Sequence, residues 1–200
     1  ELPEFSRSVL EALRQPLEDR VITLARAKQS VQYPATFLLI ATANPCPCGY
    51  YGTGQICNCT PALLSHYQQK ISGPILDRFD LHVAVQSVEV EGILALPRPS
   101  TESVPNALAE NARKNQFKRY KSHTILNSTI DHAKIVSGIL CISNEATELL
   151  NRAARNLHLS ARAYMRVLKV SRTIADLENS PAVLPAHLAE ALQYRPVRKQ

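Results

Sequence analysis

Apolar positions set the first elements. Val9, Leu10, Leu13 and Leu17 recur at helical spacing and predict a helix over residues 6–18, with Ser8 and Glu11 as a capping box. Arg20–Leu24 and Ser30–Tyr33 alternate as two short strands around a polar, basic tip, residues 25–29, which predicts a hairpin. Phe37-Leu-Leu-Ile-Ala-Thr-Ala43 is apolar throughout, the pattern of a strand covered on both faces of a parallel sheet. Thr60-Pro61 opens a helix, Thr as cap and Pro in the first turn, continued by Leu63, Leu64, Tyr67 and Ile71. Leu81–Val85 reads as another short strand. Pro97, Pro99, Ser100 and Pro105 mark a boundary near residues 95–105.

Beyond that boundary the period is helical. A charged helix is predicted over 106–120 and a further one near 131–141. Ala146, Leu149, Leu150, Ala153 and Leu157 line the next, and Tyr164, Val167, Leu168, Ser171, Ile174 and Ala175 the one after. Pro185 opens a last helix carrying Leu188, Ala191 and Leu192. The pattern thus divides into an α/β piece over residues 1–95, with too few strands to close a sheet, and an α-helical subdomain over residues 96–200. Strands belonging upstream are expected. The opening Glu1-Leu-Pro-Glu-Phe5, without Met, is expected to fall inside a longer protein.

Charge separates the same two pieces. Residues 1–110 hold 8 basic and 11 acidic side chains, whereas residues 111–200 hold 15 basic and 6 acidic. The basic second half favours a polyanion, nucleotide or nucleic acid, although a solvated basic helix surface accounts for the same count. No apolar run approaches the roughly 18 residues that span a bilayer, and no signal peptide opens the chain, so a cytoplasmic protein is expected.

The densest candidate chemistry is Cys46-Pro-Cys48, eight residues, then Cys57-Asn-Cys59. Two C-x-C pairs across a short Gly-rich loop suit four thiolates around one Zn²⁺, and thiolates reject hard cations. Free thiols and a pair of disulfides are the alternatives; disulfides need an oxidising compartment that nothing here indicates, and redox catalysis uses C-x-x-C. Cys141, within Ile139-Leu-Cys-Ile142, is expected to be a buried small hydrophobe. The six histidines are scattered, none at metal spacing with another.

The order of hairpin, apolar strand ending in Asn, C-x-C loop, Ser72-Gly-Pro-Ile-Leu-Asp-Arg-Phe-Asp-Leu-His82 and Leu159-Ser-Ala-Arg-Ala-Tyr164 resembles the magnesium-chelatase-like AAA+ ATPases, and Ala43-Asn-Pro-Cys-Pro-Cys-Gly-Tyr-Tyr-Gly52 most resembles their competence-protein branch. The resemblance covers nearly the whole chain but is poor over residues 121–142. It implies the C-terminal part of an AAA+ P-loop core followed by an α-helical lid, assembled as a homo-oligomeric ring, a hexamer, with ATP and Mg²⁺ at subunit interfaces. No G-x-x-x-x-G-K-[ST] occurs here, so the phosphate loop is expected upstream and this fragment is expected to be inactive alone. By the same resemblance Glu1 is the second acid of the Walker B strand and activates water. Asn44 is the first sensor, an amide able to bond both γ-phosphate and water. Arg78 is the arginine finger, with a local ion pair to Asp77 and Asp80 as its other reading. Arg162 is the second sensor; it shares with Arg166 and Lys169 an arc of about 60° on a wheel of about 100° per residue. Arg26 and Lys28 at the hairpin tip are the candidate DNA contacts, able to grip a backbone without reading sequence.

Three functions are consistent with these residues. The first is a DNA motor assisting branch migration, a helicase-like role in natural transformation and recombination. The second is a metal-chelatase motor subunit. The third is a non-enzymatic zinc-containing nucleic-acid-binding module.

Overall fold

The structure, a computed structural model, describes residues 1–26, 29–86 and 104–196. The chain divides into two compact units. The first is built mainly from residues 1–79; the second takes Asp80–Ala84 together with the helices beyond residue 104.

In the first unit a 3-10 turn, Leu2–Glu4, leads to α1 (Arg7–Ala12) and α2 (Arg14–Asp19). The single helix expected over 6–18 is therefore two, joined at Leu13. The reason is Pro16, which has no N–H to donate and whose ring crowds the carbonyl four residues back. The expected Ser8–Glu11 capping box is also absent: Ser6 is the N-cap, and Glu11 instead accepts from Ser72 Oγ (2.9 Å) and pairs with Arg14 (2.7 Å). Arg20 takes a left-handed conformation (φ 58°) that ends α2 and turns the chain directly into β1 (Val21–Arg26), antiparallel to β2 (Gln29–Pro34). The register pairs Ile22 with Tyr33 and Leu24 with Val31, so each arm of the hairpin is longer than its pattern suggested. α3 (Pro61–Gln69) starts as expected, Thr60 Oγ1 accepting the N–H of Leu63 at 3.3 Å, and α4 (Gly73–Leu76) follows. Leu10, Cys46, Tyr67 and Ile75 form the buried centre of this unit.

Neither Phe37–Ala43 nor Leu81–Val85 forms a strand. Among the described residues β1 and β2 are the only strands, and an apolar central strand needs ladder partners on both edges. Without them Leu38 and Ile40 stand 85% and 80% exposed, and Val83 and Val85 are also exposed. Among the described residues the one backbone tie of the first segment is the N–H of Leu2 donating to the carbonyl of Thr42 (2.7 Å).

The second unit is helical: α5 (Val104–Tyr120), α6 (His132–Val136), α7 (Asn144–Asn156), α8 (Ala161–Leu177) and α9 (Pro185–Gln193). Three starts share one device: Asp131, Ser143 and Ser160 each accept the backbone N–H of the third helical residue. At α9 the N–H of Leu184 donates instead to His187 Nδ1 (2.9 Å). The segment near 131–141 is a short helix ending at Val136, and Cys141 beyond it is exposed with φ 48°, not buried. Ile135, Leu140, Leu150, Val167, Leu168, Ile174 and Leu188 form the core.

Charge lies inside that core. Asp176 is fully buried and accepts from four donors: both Nη of Arg119, Arg172 Nη2 (3.0 Å) and Asn127 Nδ2 (2.9 Å). Arg172, also fully buried, donates to the carbonyls of Leu140, Ser180 and Pro181. Asn127 Oδ1 accepts from Tyr120 Oη (2.6 Å), which ties the loop after α5 to the same carboxylate. No helix among the described residues is long and apolar enough to cross a membrane.

Candidate functional site

The cysteine loop is built by tight turns. Gly49 N–H donates to the carbonyl of Cys46 (3.0 Å), and Gly49, Gly52 and Gly54 hold φ near +80°, where a side chain is strained. These turns fold Cys57–Cys59 back onto Cys46–Cys48. The four Sγ atoms lie within 4.8 Å of one another. Cys46–Cys48, Cys48–Cys59, Cys48–Cys57 and Cys46–Cys57 are separated by 3.3, 3.4, 3.5 and 3.8 Å. A tetrahedron of Zn–S bonds about 2.3 Å long has edges of roughly 3.8 Å, whereas a disulfide needs about 2.05 Å. The donor set and spacing are compatible with a zinc site, and none of these cysteines is disulfide-bonded.

The cluster is also prepared electrostatically. The N–H of Tyr51 donates to Cys46 Sγ at 3.4 Å. The backbone N–H of Tyr50, then the neighbouring thiol of Cys46, hold Cys48 down to about 6, so it is a thiolate at neutral pH. Cys57 and Cys59 are pushed up, Cys59 to about 12. A backbone N–H lowers each, but burial and the adjoining sulfurs outweigh it. One thiol held low beside two held high is the arrangement a soft cation would resolve by displacing their protons.

The remaining candidates are placed as follows. Glu1 and Asn44 are both exposed, on segments joined by the Leu2–Thr42 backbone bond. The Arg78 side chain is 12% exposed; its Nε faces Glu18 (3.2 Å) and the carbonyl of Arg14 (3.2 Å), and its Nη1 bonds the carbonyl of Pro74 (2.7 Å). Arg78 thus pairs with Glu18, a residue distant in sequence. Arg162 is exposed in the first turn of α8. The basic arc around it is partly committed, Arg166 to Asp80 (3.1 Å) and Lys169 to the carbonyl of Ser128 (3.2 Å). Arg26 closes β1 opposite Gln29, and Lys28 lies outside the described residues. The buried Arg119–Asp176–Arg172 group escaped the sequence reading. Its only local signal is Arg172 and Asp176 at i,i+4 on one helix.

The family described as magnesium chelatase, subunit ChlI, matches residues 1–93, and its C-terminal family matches residues 99–195. The chain belongs to the magnesium chelatase family. Within it, the chain is 41% identical over 198 residues to the competence protein ComM of Haemophilus influenzae and 40% identical over 201 residues to the uncharacterised protein YifB of Escherichia coli. An uncharacterised protein of Mycobacterium tuberculosis is 35% identical over 195 residues. Each alignment takes in 98% of this chain but only 38% of the relative, so the chain spans well under half the length of these proteins.

Proposed function

We propose that this chain is the C-terminal part of a ring-forming AAA+ ATPase that uses ATP hydrolysis to act on DNA, as a branch-migration motor or helicase in natural transformation and recombination. Residues 1–95 are its partial α/β core and residues 96–200 its lid. The observation that carries the reading is the Leu2–Thr42 backbone bond, which sets Glu1 and Asn44 on neighbouring segments. A carboxylate that takes a proton from water, with an amide that orients that water against a γ-phosphate, is the minimum a phosphoryl-transfer site requires of this part of the protein. The 41% identity to the competence protein ComM supports a role in competence, and DNA as the substrate is part of this proposal.

Arg78 and Arg162 then act on charge. Arg78 stabilises the developing γ-phosphate charge of the neighbouring subunit in a hexameric homo-oligomer, which requires exchange of Glu18 for phosphate. Arg162, at the start of α8, closes on the phosphates of its own subunit. Mg²⁺ supplies charge neutralisation on the ATP phosphates when bound. The four-cysteine cluster is unsuited to it, since thiolates do not hold a hard cation. Cys46, Cys48, Cys57 and Cys59 hold a structural Zn²⁺ that fixes the loop following Asn44. Arg26 and Lys28 on the hairpin grip the DNA backbone. The parent works in the cytoplasm.

The test is ATP hydrolysis by the full-length parent with and without branched DNA, alongside Arg78→Ala. Stimulation by DNA that Arg78→Ala abolishes is the expected result. Hydrolysis indifferent to DNA points to a chelatase motor, and no hydrolysis at all leaves a binding module.

A further inference from the structure

A pocket in the helical unit is lined by none of the residues assigned above. α5 ends where Lys121 takes φ 52°, and the chain reverses so that residues 122–126 fold back along its last turns. The reversal is pinned by Ser122 Oγ, which meets Thr124 Oγ1 (3.0 Å) and accepts the N–H of Thr124 (3.2 Å). It stacks the His123 ring on Phe117, centroids 4.2 Å apart and planes 24° from parallel. Arg113, Gln116, Phe117, His123, Ile125 and Leu126 line the resulting pocket of about 320 Å³, at the small end of ligand-site volumes.

Its lining combines three functions. Phe117, Ile125 and Leu126 give apolar walls, and Phe117 is 40% exposed, so its stack with His123 remains open to solvent. Gln116 is nine-tenths buried, and its Oε1 is fixed by accepting the N–H of Asn127 (3.0 Å). That bond leaves the amide NH₂, which has no partner among the described residues, as a pair of donors at the pocket. Arg113, one turn before Phe117 on the same face, is exposed and forms no ion pair among the described residues. Among the described residues no carboxylate lines the pocket.

We propose that this pocket takes a nucleobase with its adjoining phosphate, presented by single-stranded DNA. An aromatic face takes a base of any identity, a neutral donor pair meets a base carbonyl, and a guanidinium meets the phosphate. A strand fits better than a free nucleotide because Lys114, Lys118 and Lys121 continue the positive charge from Arg113 along the helix for about 10 Å instead of converging on one polyphosphate. The identification of DNA rests on the motor reading above.

The test is fluorescence anisotropy of a labelled oligothymidylate with the 200-residue chain. Phe117→Ala and Arg113→Ala each weaken binding by roughly fivefold to a hundredfold, Phe117→Trp restores it, and Lys134→Ala, an equal charge loss on α6, leaves it unchanged. Arg113→Ala touches an exposed side chain, so its result stands even where Phe117→Ala perturbs the fold. Equal loss in all variants including Lys134→Ala, or loss in none, overturns the pocket. Thymidine monophosphate competing as tightly as the oligonucleotide overturns the strand as its source. Failure here leaves DNA-stimulated hydrolysis by the parent intact, and failure of that stimulation leaves this binding result intact, so the two readings fall separately.

Discussion

Asp176→Ala is the most incisive change to make in the second unit. The carboxylate is fully buried and accepts four hydrogen bonds, three from two guanidinium groups and one from Asn127. Removing it leaves Arg172, itself fully buried, with its backbone carbonyl partners but no counter-charge, and leaves Arg119 and Asn127 facing a cavity. Breaking a buried ion pair from one side costs roughly 3–5 kcal/mol, because the surviving charge stays desolvated. In a unit of about 100 residues that corresponds to a fall in Tm of at least about 12 °C. Far-UV circular dichroism in a urea titration reads the loss, since the long helices lie in this unit. Asp176→Asn, which keeps the shape and discards the charge, should fall in the same range. A loss below about 1 kcal/mol for both variants would refute the reasoning, and would mean that the three carbonyls around Arg172 suffice to hold its charge.

Other expectations follow from single sites. The purified chain should carry one equivalent of zinc by elemental analysis, and Cys57→Ser should lose most of it; a metal-free wild type disproves the tetrahedral cluster. Ser160→Ala should cost about 1 kcal/mol by thermal melting, since it removes the N-cap of α8, which carries Val167, Leu168 and Ile174 of the core; no change would show that α8 is held by packing alone. Arg166→Ala should cost no more than about 1 kcal/mol, because its partner Asp80 is 58% exposed, and a larger loss would contradict the weak pairing inferred. Burial, opposed by Arg119, raises the Tyr120 phenol above its ordinary value of 10.0. Its contribution is therefore complete below pH 10 and falls as pH climbs through the raised value, and Tyr120→Phe should flatten that alkaline limb of a stability–pH curve.

The local signals that survived were those with a local cause. Thr60-Pro61 and Ser160 start helices because an oxygen one turn before the first free N–H groups satisfies them whatever lies around. The C-x-C pairs converge because glycines at 49, 52 and 54 permit the turns that bring them together. The apolar run at 37–43 failed as a strand for the opposite reason: its pattern records what a strand needs on both sides, and no strand flanks it among the described residues. Pro16, read as one residue within a helical period, divided α1 from α2.

By itself, then, the chain determined where α3 and the later capped helices begin, which cysteines meet, and which family it joins, because periodicity, caps and short spacings act over a turn or two. Only the tertiary structure decided which charges pair. Asp176 finds Arg119 57 residues away, Arg78 faces Glu18 across 60 residues, and Arg166 reaches Asp80 over 86. Those partners are set by how the helices of each unit pack, and burial then decides the strength of each pair: large at Asp176, where water is excluded, and small at Asp80, where it is not.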